Sequence, residues 1–431
     1  MSDDYNPLEK MIARVLSSSP GIKKLVKLSY SYIFYLLKKK DYKFYSNEKV
    51  EVIEDNNNET FFGYYDKTPD NGKGLVLVFS TASSTTLLPR DVELIELDVY
   101  CLKSKKFILS DRIKISAFNW QQASRAHWLD EDIFVYNNFD FLSNTYKTYM
   151  YSISSQEIID SFESAVQDSF KNKFMLSICY KSLALLRPDY GYFKHTGNTL
   201  PNYNETGILK CDYSSHEERM LFSVSDVFNF RFEGNKNNFK HKLNHVMISP
   251  NGEFFIFMHR YYNDSGRRFD RLILANSNGD LLKVLSDYQM VSHCFWYNET
   301  TILGYLRSPE GKDAYWLINI ESGTFTAFHD NVFVNRGDGH PSVNGNYIIT
   351  DTYPNKSRMQ SLFMTKKNCS MEVQVGEFFH GFKFSGETRC DLHPRFSNDG
   401  NTIFFDSIFS GKRQLCYIDV SVTKKKLDDD V

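Results

Sequence analysis

From about residue 45 onward, hydrophobic positions come in short aromatic and β-branched runs rather than in a sustained helical period. The dipeptides Asn-Gly, Asp-Gly, Ser-Gly and Gly-Lys separate these runs. Short apolar runs bounded by such turns are typical of β-strands joined by tight connections. The pattern therefore predicts a mostly β protein that has helix only near its N-terminus.

The strand pattern repeats in the second half of the chain. Four segments open with a histidine at intervals of 48, 47 and 53 residues: HVMISPNGEFFIFMHR at His245, HCFWYNETTILGYLR at His293, HPSVNGNYIITDTY at His340 and HPRFSNDGNTIFFDS at His393. In each unit a polar turn follows the first strand, and three further strands complete the repeat. Four strands per repeat of about forty to fifty residues form one blade of a β-propeller.

The first half of the chain fits the repeat more loosely. RAHWLDEDIFVYNNFDF, from Arg125, aligns with the unit at His293, and YYDKTPDNGKGLVLVFS supplies a blade from Tyr64. Spacing requires a third blade at about 170–225, for which SLALLRPDYGYF and TGILKCDYS are the predicted strands. Six or eight blades would follow from another interpretation of this stretch. The strand KVEVIED at 49–55 is expected to close the ring by pairing into the last blade.

These observations predict an all-β fold, a seven-bladed β-propeller over residues 46–422. A basic, aromatic helical extension (1–45) precedes it, and a charged, solvated tail (423–431) follows. Aromatic residues make up 16% of the chain, which suits strands. The formal charge of -2 argues against nucleic acid as a partner. Seven scattered cysteines without a CxxC pair, and an N-terminus unlike a signal peptide, predict a cytoplasmic protein with reduced thiols.

One segment, IKKLVKLSYSYIFYLLKKK at 22–40, combines lysines at both ends with aromatic and aliphatic residues between them. Its uninterrupted apolar part is too short to span a bilayer. The pattern favours a helix packed against the side of the propeller with its lysines in solvent. The alternative is a helix that makes peripheral contact with the anionic inner face of a membrane.

The constant phase of the histidines predicts a cluster, because the innermost strands of all blades line one central channel. His245, His293, His340 and His393 are therefore expected to converge, and such imidazoles are ligands for divalent metals. Asp391 lies two residues before His393, so both side chains can face the channel. The alternative is that these residues only hydrogen-bond to one another and to channel water.

Arginines and aromatic residues form a second signal around the same channel. An arginine fork matches a carboxylate, and aromatic rings stack on sugars, so the set suits an acidic oligosaccharide or polysaccharide. The residues predicted to bind this substrate are Tyr65, Gln121, Arg125, Trp296, Arg358 and Arg389. About half of the arginines would be ordinary surface charge on the competing interpretation.

The histidine-led repeats and the strand FDRLILANSNGD resemble the oligogalacturonate lyase family of seven-bladed propellers over about residues 243–420. The resemblance implies β-elimination on uronate-containing oligosaccharides, with manganese held by histidines and a glutamine. His293 and His393 match histidine positions of the family pattern. Asp391 stands where the family has the first histidine of an HxH motif, and Thr388 stands where it has a glutamine. The ligand set predicted here is therefore His293, His340, Asp391 and His393.

In a reaction of this kind a base removes the C5 proton of the uronate while cations neutralise its carboxylate. His245 or His259 is the predicted base, and Arg268 or Arg271 the predicted carboxylate clamp. The chain also resembles divergent members of this family that are encoded with bacterial surface-polysaccharide genes. The alternative functions are accordingly a non-catalytic propeller that binds a glycan or a protein in surface-polysaccharide biosynthesis, and a protein associated with a glycosyltransferase.

Overall fold

The computed structural model describes residues 20–194, 197, 199–231, 239–329 and 331–429. Residues 1–19 of the predicted N-terminal extension and 430–431 of the predicted tail lie outside this part. The described chain forms seven antiparallel sheets arranged as the blades of a β-propeller. The predicted fold class and the count of seven blades are confirmed.

Blades one to three use strands in simple up-and-down order. Blade one comprises β3 (Glu59–Phe61), β4 (Leu75–Thr81), β5 (Ile95–Cys101) and β6 (Lys106–Phe107), with β7 (Ile113–Ile115) also on β5. Blade two comprises β8 (His127–Trp128), β9 (Ile133–Asp140), β10 (Thr145–Ser152) and β11 (Glu157–Phe162). Blade three comprises β12 (Val166–Phe170), β13 (Phe174–Ser177), β14 (Gly207–Asp212) and β15 (Glu218–Ser223).

Blades four to seven follow the histidine-led repeats. Blade four comprises β16 (Lys240–Ile248), β17 (Phe254–Tyr262), β18 (Arg268–Asn276) and β19 (Leu281–Ser286). Blade five comprises β20 (Val291–Trp296), β21 (Thr301–Arg307), β22 (Asp313–Asn319) and β23 (Phe325–Ala327). Blade six comprises β24 (Ser342–Asn344), β25 (Tyr347–Asp351), β26 (Met359–Lys366) and β27 (Glu372–Phe379). Blade seven comprises β28 (Arg395–Phe396), β29 (Thr402–Ser407) and β30 (Gln414–Asp419).

Two N-terminal strands complete the last two blades. Strand β2 (Val50–Val52) pairs with β30 as the fourth strand of blade seven, with Val50 opposite Ile418. The predicted closure of the ring by residues 49–55 is thus confirmed. Strand β1 (Phe44–Ser46) pairs with β27 as a fifth strand of blade six. Both pairings cover edges that would otherwise be open to aggregation.

Blade three differs from the predicted strands. TGILKCDYS does contain β14, but SLALLRPDYGYF is not a strand. It forms helix α2 (Tyr180–Leu186) and a 3₁₀ turn at Pro188–Tyr190. Gly191 permits this compact arrangement, since a Cβ there would lie 2.1 Å from the backbone nitrogen of Ala184. The α2 segment connects β13 to β14 and becomes part of the functional site.

Helices also lie at both ends of the described chain. Helix α1 (Pro20–Lys38) packs on blade six, where the ring of Tyr35 lies 5.7 Å from Phe379 and 5.5 Å from Phe382. A short helix, α3 (Val224–Asn229), follows blade three. The tail expected to be solvated instead begins with helix α4 (Ser421–Asp429), which buries Leu427 completely in the core. None of the described helices is long and apolar enough to cross a membrane.

A candidate metal centre in the propeller channel

The four phased histidines come together in the channel. His245 and His293 lie in β16 and β20, and His340 and His393 just precede β24 and β28. Ring centres are 4.0 Å apart for His293 and His340, 4.3 Å for His340 and His393, and 6.2 Å for His245 and His293. All four are buried. The repeat therefore places one imidazole from each of four neighbouring blades at the same level.

The imidazoles of His340 and His393 are each held in place through their Nδ1 atom. Nδ1 of His340 lies 2.8 and 3.0 Å from the two carboxylate oxygens of Asp351, and Nδ1 of His393 lies 3.0 Å from the carbonyl oxygen of Gly63. With Nδ1 as donor, each Nε2 carries a lone pair. Both Nε2 atoms are buried without a hydrogen-bond partner among the described residues. This is how outer partners orient histidine ligands in metal sites.

Asp391 supplies an oxygen beside the two free nitrogens. His340, Asp391 and His393 each offer one ligand atom, and these atoms all lie within 4.8 Å of one another. Nε of Arg389 donates to Asp391 at 2.7 Å and fixes the carboxylate. Two imidazole nitrogens and one carboxylate oxygen form a donor set that first-row divalent metals accept. The residues present thus fit a bound metal ion.

The charge around His340 also favours a cation. Burial acts to lower the pKa of His340, but Asp351, Asp391 and Asp338 together outweigh it, so the pKa is raised. Burial lowers the pKa of His393 well below its usual value, and a charge on His340 would lower it further. The cluster can therefore accommodate one positive charge, which a proton on His340 or a metal ion would supply.

His293 and His245 flank this donor set in different surroundings. Nδ1 of His293 lies 3.2 Å from Asp338, and burial lowers the pKa of His293. The hydroxyl of Tyr64 lies 3.0 Å from Nδ1 of His245, whose ring stacks on that tyrosine. Burial, with the nearby charge of Arg260, lowers the pKa of His245 well below its usual value. His245 is therefore a neutral imidazole near pH 7.

The other residues predicted for catalysis lie in a different part of blade four. His259 stacks on His241 and lies 3.3 Å from Arg271. Arg271 donates to the backbone carbonyl groups of Val227 and Phe230 at helix α3 and its C-terminal end, so its guanidinium is engaged there. Arg268 is partly exposed and pairs with Asp270. The structure thus joins His245, but not these three, to the channel cluster through described contacts.

Of the residues predicted to bind substrate, Tyr65, Gln121 and Arg389 adjoin the cluster. Arg389 does so through its hydrogen bond to Asp391. The Tyr65 ring centre lies 5.3 Å from that of His340, and Nε2 of Gln121 donates to the carbonyl of Arg389 at 2.7 Å. Arg358 makes its contacts away from the cluster. It donates to the carbonyl of His380, and its guanidinium lies over the ring of Phe382.

Arg125 and Trp296 serve the scaffold instead. Arg125 makes a buried bidentate ion pair with Asp66, with both N–O distances at 2.8 Å. Trp296 is buried among the apolar side chains of blades four and five, where its Nε1 donates to the carbonyl of Met247 at 3.1 Å. Both side chains are thus engaged in contacts inside the propeller, and Trp296 also lines a cleft at the turns of blades four to six.

Sequence reasoning missed a cover over the cluster, formed by residues 180–190. Nη1 of Arg389 donates to Asp189 at 2.6 Å and thereby ties this cover to blade seven. Tyr190 reaches inward, with its ring centre 5.1 Å from that of His245 and 5.7 Å from that of Tyr64. The cluster is therefore closed from the side of the α2 segment.

Asp351, the partner of His340, was also missed, although the repeat contains a signal for it. Asp351 ends the second strand of blade six, and Asp406 is the last residue but one of the second strand of blade seven. Asp351 accepts backbone N–H bonds from His340 and His393, and Asp406 accepts them from Phe62 and Gly63. A carboxylate at this place thus joins neighbouring blades at the level of the histidines.

Comparison with known proteins gives relatives by structure alone. No family model matches the chain, and no curated protein matches it. An oligogalacturonate lyase from Vibrio parahaemolyticus is similar over 90% of this chain and 100% of its own, with a TM-score of 0.57 and 12% identity. An oligogalacturonate lyase in complex with manganese is similar over 89% of this chain and 96% of its own, with a TM-score of 0.58 and 12% identity. At this identity, the likeness establishes a related propeller fold.

Proposed function

We propose that this protein is a metal-assisted lyase that cleaves uronate-containing oligosaccharides or polysaccharides by β-elimination. The observation that carries the proposal is the pair of buried Nε2 atoms on His340 and His393, which have no hydrogen-bond partner within the described part of the chain and lie beside the carboxylate of Asp391. The likeness in fold to an oligogalacturonate lyase in complex with manganese supports it.

The metal would be held by His340, His393 and Asp391, with His293 adjacent. A carboxylate oxygen among the ligands favours a harder ion, so manganese is the ion we expect. When bound, such an ion supplies Lewis-acid stabilisation of negative charge on a substrate carboxylate, which makes the adjacent C5 proton more acidic. In this proposal Asp391 binds the metal at the position where the family pattern has a histidine.

His245 is the proposed base. It is neutral near pH 7, because burial lowers its pKa, so an imidazole nitrogen can accept the C5 proton. Tyr64 holds the ring in position from one side, and Tyr190 contacts it from another. Substrate is proposed to enter when the cover moves away from Arg389. The freed guanidinium would then pair with a uronate carboxylate, the role first assigned to Arg268 or Arg271.

Metal content and product formation test this function together. Elemental analysis of purified protein is expected to find one manganese ion per chain, and His340→Ala and His393→Ala are expected to lose it. Acidic oligosaccharides should give the ultraviolet absorbance of an unsaturated uronate with the wild type and not with His245→Ala, which retains metal. His216→Ala, at an exposed contact with Asp160, is the matched control. Full metal content and lyase activity in His393→Ala would refute the proposal.

A non-catalytic glycan-binding propeller is the second candidate, and a different cavity favours it. A cleft of about 810 Å³ lies where the first strands of blades four, five and six turn into the second strands. Phe295 and Tyr297 line it together with Lys67 and Lys367, which suits stacking on an acidic sugar. Glycan binding that is lost in Tyr297→Ala and kept in His393→Ala, without any product, would support this candidate.

A further inference from the structure

Helix α1 leaves one apolar face exposed among the described residues. The side chains on this face, each in a residue with between 40% and 75% of its surface exposed, are Val26, Leu28, Tyr32, Ile33, Leu36 and Leu37. At 3.6 residues per turn they form a continuous arc along the helix. The opposite side holds Phe34 and Tyr35, which contact the propeller. An amphipathic arrangement with the apolar arc outward needs a partner.

The charges along the helix select the kind of partner. Helix α1 contains four lysines and no acidic residue. Lys39, Lys40 and Lys43 follow it, all exposed, with Asp41 as the one acidic residue between them. The Lys43 ammonium lies over the Phe379 ring at 3.9 Å, close to where α1 meets the blade. Helical periodicity places the four lysines within α1 on the side away from the arc, whereas Lys39 and Lys40 directly follow its last residues, Leu36 and Leu37. Exposed lysines at this end of the arc can extend their charges toward anionic headgroups while the arc enters the acyl boundary.

We propose that the apolar face of α1 docks this propeller on the surface of an anionic lipid bilayer. The face has Tyr32 within it and aliphatic side chains on either side, a combination that suits the interface between headgroups and acyl chains. Lysines attract acidic lipids with a free energy that adds per residue. The helix is proposed to lie on the bilayer and not to cross it.

Docking would also orient the candidate metal centre. Phe382 contacts Tyr35 of α1 on one side and the guanidinium of Arg358, at 4.7 Å, on the other. Arg358 donates to the carbonyl of His380, and Nε2 of His380 accepts from the backbone of Cys390, next to Asp391. The rim of blade six, with the segment that leads from it toward blade seven, is thus the part of the propeller that α1 contacts. A docked protein would hold this rim beside the lipid surface.

Vesicle flotation of the full chain without substrate tests the proposal. The protein is expected to float with vesicles of phosphatidylglycerol and phosphatidylcholine, and to bind phosphatidylcholine alone much more weakly. The double variant Ile33→Glu/Leu37→Glu should lower the partition coefficient by about tenfold or more. Lys39→Glu, at the C-terminal end of the arc, should lower it about fivefold for the anionic vesicles only. Leu142→Glu, at a turn position that is 99% exposed in blade two, is the matched control and should float like the wild type.

Three results would overturn the proposal. These are wild-type protein that stays unbound, an equal loss of binding in the Leu142 control, and a dimer in light scattering that Ile33→Glu/Leu37→Glu converts to monomer. The last would make the face an interface between copies. Circular dichroism confirms that each variant is folded. Lyase activity on soluble oligosaccharides should be unchanged in the α1 variants, so failure of docking is distinguishable from failure of the proposed function.

Discussion

The Nδ1 atom of His340 lies 2.8 and 3.0 Å from the two carboxylate oxygens of Asp351. Nε2 of the same histidine has no hydrogen-bond partner among the described residues. The same carboxylate accepts the backbone N–H groups of His340 and His393, so it holds both proposed metal ligands. This one residue therefore sets the tautomer of one ligand and the backbone position of two.

Replacing this carboxylate should weaken metal binding without removing a ligand. In Asp351→Asn, the amide nitrogen cannot accept one of the N–H groups, so His340 is no longer fixed as an Nε2 donor. We expect the dissociation constant for Mn²⁺ to rise about 10–100-fold, as loss of such an outer partner typically does. Calorimetric titration measures it, with Asp140→Asn on the surface as control. An unchanged constant in a folded Asp351→Asn protein would contradict the role given to Asp351.

The cover should open when its ion pair with blade seven is removed. Asp189→Asn loses the charge-assisted bond from Arg389, which is worth about 1.5–3 kcal/mol when partly buried. Backbone amides at 180–190 are then expected to exchange hydrogen about tenfold faster or more, while blade six exchanges as before. Hydrogen-exchange mass spectrometry makes the comparison, and Glu163→Gln, which removes an exposed pair with Lys147, is the control. Equal exchange rates in wild type and Asp189→Asn would show that other contacts hold the cover.

The propeller could be predicted from sequence because its signal is local and repeated. The turn in every blade and the constant phase of the histidines require no knowledge of long-range contacts, and both are present in the structure. Even the pairing of residues 49–55 into the last blade could be predicted, since a ring of blades needs one strand to close it, and in the structure Val50 lies opposite Ile418. Trp296 was predicted to bind substrate, and it packs among the apolar side chains of blades four and five, where it also lines the cleft beside Phe295.

The cover could not be predicted from the same pattern. SLALLRPDYGYF is apolar and aromatic, as a strand would be, but it lies across the channel, and burial of Leu183 and Tyr190 there decides its conformation. Asp351 and Asp189 act through residues far away in the chain. Only the three-dimensional arrangement shows that their partners, His340 and Arg389, belong to the site.

Closure of the ring by the N-terminal segment should contribute measurably to stability. Ile53, next to β2, is completely buried, and its backbone N–H bonds to the carbonyl of Leu415 at 2.9 Å. Ile53→Ala removes buried methyl groups, so we expect the free energy of unfolding to fall by about 2–4 kcal/mol. Chemical denaturation measures it. Ile158→Ala, on an outer strand with 52% exposure, should cost less than about 0.5 kcal/mol. A small effect at Ile53 would mean that β30 does not need its partner.

Lys242 gives the protein a pH-dependent stability with a defined sign. Its ammonium is buried beside the carbonyl of Leu186 and the hydroxyl of Tyr262. Burial, with the charges of Arg260 and Arg187, lowers the pKa of Lys242 to about 6. The unfolded chain keeps the ordinary value of 10.5, so between these two values the unfolded state binds the extra proton. Stability should therefore rise with pH in this window, by up to about 1.4 kcal/mol per unit.

Substitution isolates this contribution from those of other groups. Lys242→Met has no charge to bury, so its advantage over the wild type should be greatest near pH 6 and shrink steadily toward pH 9. Urea unfolding of both proteins at several pH values gives the difference directly, and Lys173→Met at the surface controls for the loss of a positive charge. A stability difference that is independent of pH would show that Lys242 stays protonated in the folded propeller.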